Sequence, residues 1–361
     1  MIFVKVDDLK PGMRLGKPIY NKNGVLLYDR DTRITMQAIY GIKNFNLMGL
    51  YILEPAEPLP PLTQDDINFE RFQTMAVFSI REDLQLISKG KKDKGLDWLC
   101  SLILKNYGQL DHKINFVQSL RSEDDFVYKH VLNTAILTAL ISGHMGLPAA
   151  RINSLVKAAI LHDIGALKLP MNMADQSDDG DMRRTIKHNT TEIMQHYSGV
   201  DQDVIQLVNQ MQEMYCTEET GISEALRTNV NASILYIADT YDRMTAMKSY
   251  MQPTSEIRAV RHLIEHEEQF DAKVVQALTE AINILVPGVC VELTNGSKGL
   301  VIRENEENIF EPLVLDFWDN QLYDLSGGAD PGCYEDDGQP DQTGCRQVKG
   351  IPAVGKEFSL F

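Results

Sequence analysis

No apolar run in this sequence reaches the roughly 18 residues that a membrane-spanning helix needs; the apolar segment 134–141 soon meets Ser142, Gly143 and His144. The opening stretch, MIFVKVDDLKPG, lacks the apolar core and small-residue cleavage site of a signal peptide. Basic residues are also scarce. Only 35 Lys and Arg stand against 51 Asp and Glu, a formal charge of −16. Without a basic field to displace counterions, general binding to DNA, RNA or anionic membranes is excluded. A local basic pocket for one small phosphorylated ligand is not. Cys100, Cys216, Cys290, Cys333 and Cys345 are few, odd in number and widely spaced, which fits a reducing compartment better than a disulfide framework. The expectation is a soluble, cytoplasmic protein.

What is present is enough apolar material, 43% of 361 residues, for one sizeable core or two smaller ones. Residues 1–58 read as a small β-rich domain. Lys17-Pro18-Ile19-Tyr20 and Val25-Leu26-Leu27-Tyr28 flank Asn23-Gly24, a dipeptide suited to a tight hairpin turn. A short helix over 35–44 and a strand over 50–53 complete that domain. Four prolines within 55–61 then break any helix or central strand and set the boundary. A connecting helical region, 59–120, leads into a helical domain over 121–318. Its periodicity predicts helices over 125–145, 148–164, 182–197, 203–215, 223–247, 255–268 and 272–285. After Pro287-Gly288 the period changes to two, around Asn295-Gly296, which reads as a C-terminal hairpin. Residues 319–361 form an acidic, Gly-rich tail, loosely ordered over 326–350, in which Cys333 and Cys345 read as free thiols.

The strongest chemical signal is Leu161-His162-Asp163-Ile164-Gly165, at the end of an apolar helix. A divalent metal with mixed nitrogen and oxygen ligands draws them from several elements. His130 and Asp239 are the natural partners, because each sits among apolar residues where an unpaired polar group is costly. His188, after Lys187, is a further candidate. Each of these also has an ordinary reading as a hydrogen-bonded structural residue, and spacing alone leaves the choice open. His112, His144, His196, His262 and His266 read as solvated.

As an ordered set, His130, His162-Asp163, Lys187-His188 and Ala238-Asp239-Thr240-Tyr241-Asp242 resemble the HD superfamily of metal-dependent phosphohydrolases. The closer resemblance is to the HD-GYP family, which hydrolyses cyclic di-GMP. Lys248-Ser249-Tyr250, Phe270-Asp271 and Val286-Pro287-Gly288 resemble that family's later motifs, and Leu9-Lys10-Pro11-Gly12-Met13 resembles the small domain often fused before it. The resemblance implies a mostly α, HD-domain-like helical core and a divalent metal (Fe, Mn or Zn) held by His130, His162, Asp163 and Asp239. His188 and the bridging Asp163 would serve a second ion.

The departures are specific. Met211-Gln212-Glu213 stands where the family has His-His-Glu, and Cys216-Thr217-Glu218-Glu219-Thr220-Gly221 does not match the Asp-Gly-x-Gly-Tyr-Pro loop. Ala166 and Ser233 replace a Lys and an Arg. A second ion would keep only Asp163 and His188, so one ion per chain is expected. The resemblance then implies a divergent phosphohydrolase or phosphodiesterase, related to cyclic di-GMP signalling yet weak or inactive on it, because each lost charge-stabilising group costs about 10²–10³ in rate. Asp163 or Asp239 would orient the attacking water, and Lys168 or Lys248 would neutralise phosphate charge. The alternative is a catalytically silent nucleotide- or protein-binding module that retains the metal site; a third reading moves the activity to another phosphoester. Dimerisation is open to such a helical module, and no segment fixes an interface.

Overall fold

The computed structural model describes residues 1–21, 25–45, 47–54, 62–122, 124–170, 180–217, 221–248, 252–305, 307–327 and 348–350. The chain opens with β1 (Ile2–Lys5), β2 (Arg14–Leu15), β3 (Ile19–Tyr20), β4 (Leu26–Tyr28), α1 (Met36–Lys43) and β5 (Gly49–Leu53). β5 is the central strand of an antiparallel sheet ordered β1-β5-β2, and β3 pairs with β4 as a separate hairpin. The Asn23-Gly24 turn lies outside the described residues, but its flanks pair Ile19 with Tyr28 and Tyr20 with Leu26. Thr35 starts α1 by accepting from the Ala38 amide at 3.1 Å.

The proline-rich segment 55–61 also lies outside the described residues. Beyond it α2 (Gln64–Ile87) opens on a capping box. The Asp66 amide donates to Thr63 Oγ1 at 3.2 Å, and the Thr63 amide donates to Asp66 Oδ2 at 2.7 Å. There follow α3 (Leu96–Tyr107), α4 (Phe126–His144), α5 (Ala149–Leu161), α6 (Gly180–His196), α7 (Gln202–Thr217), α8 (Glu224–Arg227), α9 (Val230–Thr245), α10 (Glu256–Glu265) and α11 (Ala272–Ala281). The single helix expected over 223–247 is two. Thr228 closes the first, and Asn229 caps the second, its side chain accepting from the Asn231 and Ala232 amides.

α4 is the hub. It packs against α2, α3, α5, α9 and α11. Its sequence reads as an apolar stripe, yet its polar His130, Asn133, Thr134, Thr138 and Ser142 are buried as well. A helix enclosed on every side must find partners for such groups, which places the chemistry inside the core rather than at its edge. The N-terminal sheet packs on this bundle through a second core in which Leu15, Ile42 and Leu50 meet Leu120 and Met247.

The C-terminal hairpin is present as β6 (Cys290–Leu293) and β7 (Lys298–Arg303). It belongs to a larger antiparallel sheet with β8 (Leu313–Asp316), β9 (Leu322–Asp324) and β10 (Val348–Gly350), ordered β10-β6-β7-β8-β9. β9 falls within the segment read as tail; three residues are too few to leave a period-two signal. Cys333, Cys345 and most of that tail lie outside the described residues. Among the described residues, no helix is long and apolar enough to cross a membrane.

A glycine sets the distance between α5 and α6. Gly165 lies in the 3-10 turn after α5, its amide donating to Thr190 Oγ1 at 3.0 Å. A Cβ there would collide with the Ile186 carbonyl and the Thr190 amide. Gly165→Ala should therefore destabilise the fold by about 1–3 kcal/mol, read from the urea midpoint; an unchanged midpoint contradicts this packing.

Candidate metal centre

Three elements meet at the centre. α4 carries His130, the C-terminal end of α5 presents His162 and Asp163, and α9 carries Asp239, Asp242 and Arg243. Spacings of three and four residues put the last three on one face of α9. All except Asp163 are 6% exposed or less, and Asp163 is 8% exposed.

Asp242 is the best-satisfied group. Both its oxygens accept from Arg121 Nη2 at 2.7 Å, and Oδ1 also accepts from Gln118 Nε2 at 2.8 Å and Asn133 Nδ2 at 2.9 Å. Its Oδ2 accepts from His130 Nδ1 at 2.7 Å. Burial alone would raise the Asp242 carboxyl, but Arg121 and His130 outweigh it and hold the group well below the usual carboxylate range. A carboxylate so ionised can only accept. The His130 hydrogen is thereby fixed on Nδ1, which leaves Nε2 to face His162 and Asp239. His162 is set the same way, since its Nδ1 donates to the Ala159 carbonyl at 2.7 Å.

The two Nε2 atoms converge on Asp239 Oδ1, at 2.7 Å from His130 and 2.9 Å from His162. Despite that closeness, all three atoms are buried without a hydrogen-bond partner among the described residues. Buried polar atoms are rarely left unpaired. Three such atoms from three helices, each aimed inward by a second bond on its far side, have the arrangement of ligands to a common cation. His130, His162 and Asp239 are the group able to hold a metal among the described residues. Their donor set, two imidazoles and a carboxylate, suits a borderline divalent ion such as Zn, Fe or Mn.

The electrostatics agree. Among the described residues, the carboxylates of Asp163, Asp239 and Asp242 pair with the guanidiniums of Arg121 and Arg243, three negative groups to two positive ones beside two imidazoles. Burial disfavours charge on His162, yet Asp163 and Asp239 overcome this and raise its proton affinity. The same field favours a divalent cation. Asp239 is held well below its ordinary range, with Arg243, His130 and His162 outweighing burial. Its Oδ2 accepts from Tyr215 Oη and, at 2.7 Å, from Arg243 Nε.

The other expected residues fall differently. Asp163 is beside the group, 3.6 Å from His162 Nε2 and 3.7 Å from His130 Nε2, and accepts from Arg243 Nη2 at 2.6 Å. His188 is exposed on α6 and stands apart from the group. Lys168 pairs with Glu192 on the surface at 2.9 Å. Lys248 is buried just beyond α9; Ser249 and Tyr250 lie outside the described residues. Gln212, one of the departures, donates to the His162 carbonyl at 2.7 Å and so anchors the end of α5. Arg121, Asn133, Gln118, Tyr215 and Arg243 carried no recognised role in the sequence, although the helical spacing of Arg243 from Asp239 was a usable signal. A cleft of about 20 Å³, room for about one water, opens over Asp163 between Arg183, Lys187, Tyr215 and Arg243.

Residues 127–244 match the HD domain family, and the chain carries an HD domain there. More particularly, the chain shows distant homology to cyclic di-GMP phosphodiesterases. It is 23% identical over 207 residues to cyclic di-GMP phosphodiesterase PA4108 of Pseudomonas aeruginosa, covering 55% of this chain and 50% of that protein. It is also 23% identical over 197 residues to cyclic di-GMP phosphodiesterase PdeB of Borreliella burgdorferi, covering 51% and 50%. The chain thus spans about half the length of the curated relatives it matches. Among solved structures, Bd1817, an HDG"Y"P protein from Bdellovibrio bacteriovorus, aligns with a TM-score of 0.45 at 16% identity, covering 77% of this chain and 97% of that one.

Two outcomes follow from the Asp242 network. Arg121→Met strands a buried carboxylate and should cost about 3–5 kcal/mol in urea unfolding; a loss below 1 kcal/mol contradicts the network. The folded carboxyl titrates below the unfolded value of about 3.9, so its stabilisation is complete above about pH 5 and is lost as pH falls through 4 and lower. The melting temperature of metal-free protein should decline over that range; a flat profile from pH 6 to pH 3 contradicts it.

Proposed function

We propose that the chain is a metal-dependent phosphohydrolase of the HD type, with one divalent ion (Fe, Mn or Zn) held by His130, His162 and Asp239. Its substrate class is a small phosphorylated nucleotide, with weak or no turnover of cyclic di-GMP. The observation that carries this reading is the convergence of three buried atoms that have no hydrogen-bond partner among the described residues and whose far sides are already fixed. When bound, a divalent ion supplies Lewis-acid stabilisation of a phosphoryl oxygen and lowers the pKa of an attacking water toward ~7.

The chain's own groups do the rest. Asp163 turns Oδ2 to Arg243 and keeps Oδ1 on the side of His162, placed to orient a water and take its proton. Arg183, Lys187 and Arg243 line the cleft, where Lys187 also pairs with Glu213 and Arg243 with Asp163 and Asp239, so a phosphate there would share their charge with carboxylates. Lys168, paired with Glu192, does not line the cleft. The pairing of Lys187 and Arg243 with carboxylates favours the second reading, a silent nucleotide-binding module.

Hydrolysis of p-nitrophenyl phosphate, bis(p-nitrophenyl) phosphate and cyclic di-GMP by Mn-loaded protein separates the two. Turnover of a generic phosphoester that falls at least about 100-fold in His162→Ala, with cyclic di-GMP the poorest substrate, is the expected result. Metal-loaded protein that turns over none of the three leaves the silent module.

A further inference from the structure

Arg243 reaches the ligand group from the cleft side and is itself buried. Its Nε donates to Asp239 Oδ2 at 2.7 Å and its Nη2 to Asp163 Oδ2 at 2.6 Å, so one planar guanidinium spans both carboxylates. The two aspartates answer differently. Asp239 gives Oδ2 to Arg243 and leaves Oδ1 at the focus of the imidazoles. Asp163 gives Arg243 the very oxygen that stands 3.7 Å from His130 Nε2, and its Oδ1 stays 3.6 Å from His162 Nε2. Asp163 is accordingly next to the convergent group without being part of it.

We propose that Arg243 is an internal cation that competes with the metal for Asp163, so that three protein groups hold the ion and Asp163 is kept outside its ligand set. This rests on the reading of His130, His162 and Asp239 as the metal centre. Three protein ligands with an open fourth position are what catalytic, as opposed to structural, divalent sites retain. A fixed positive charge on the shared side also opposes a second divalent ion, because Asp163 cannot neutralise both it and the guanidinium. Arg243 is thus a positioning residue: it sets the ligand number and leaves a carboxylate beside the open position.

Isothermal titration of the full chain with Mn²⁺, in wild type, Arg243→Met, Asp163→Asn and the double variant, tests this by affinity and stoichiometry rather than by activity. Wild type should bind one ion, and Arg243→Met should bind it at least about ten-fold tighter, because a positive charge leaves and Asp163 is released. Asp163→Asn should cost at least about ten-fold more affinity in the Arg243→Met background than in wild type. Equal costs in both backgrounds, or a folded Arg243→Met with unchanged or weaker affinity, overturn the proposal and leave the metal centre standing. No binding by any of the four proteins overturns the metal centre and the proposal with it. If Arg243→Met does not fold by circular dichroism, Arg243→Lys, whose ammonium keeps the charge but cannot span both carboxylates, should still tighten binding about three-fold or more; no tightening overturns the proposal.

Discussion

Everything at the centre depends on the hydrogen bond from His130 Nδ1 to Asp242. That contact decides which nitrogen carries the proton, and therefore which nitrogen faces His162 and Asp239. Asp242 can hold the role only because Arg121, Gln118 and Asn133 saturate its remaining acceptor capacity in a fully buried site. Arg121 lies on the segment between α3 and α4, and the neighbouring Gln118 accepts from Lys17 of the N-terminal unit through its carbonyl at 2.7 Å. The small β domain thus buttresses the outer layer of the metal centre as well as packing on the bundle. Second-layer groups of this kind fix ring orientation and ligand basicity, so the sheet-rich start of the chain belongs to the site's energetics.

Gln212, one of the departures from the HD-GYP pattern, works with neighbouring side chains to hold the centre in place. Gln212 and Thr190 both donate to the His162 carbonyl, holding the end of α5 where its side chain meets α4 and α9. Tyr215 closes over Asp239, stacks beneath Arg183 at 4.1 Å and fills space that would otherwise widen the cleft. Arg243 completes the enclosure. Together they surround the His130, His162 and Asp239 group with hydrogen-bond donors and a fixed positive charge.

Much of this was legible in the sequence for physical reasons. Buried helices advertise themselves by apolar content, and His130 and Asp239 stood out because polar groups amid such runs demand partners; that they form one set with His162 and Asp163 came from the resemblance to the HD superfamily. The β-rich start and the hairpin after Pro287-Gly288 were readable from turn residues and alternation. The rest was hidden. Asn229 divides α8 from α9 through a local side-chain bond that competes with an otherwise continuous helical pattern. β8 and β9 are too short for their period to register. Arg121 and Asn133 gain their roles from long-range contacts with Asp242, which no local pattern encodes. His188 read as a candidate beside His130 and His162 in the sequence, and in the structure it is exposed on α6.

The most direct test is the metal content per chain, measured by plasma mass spectrometry on protein purified without a histidine-rich tag and saturated with Fe, Mn or Zn. One ion per chain is the expected result, since His130, His162 and Asp239 supply the donors for one and Arg243 occupies the side a second would need. Protein that stays metal-free after supplementation would contradict the account, because the three unpaired buried atoms would then have no cation to face.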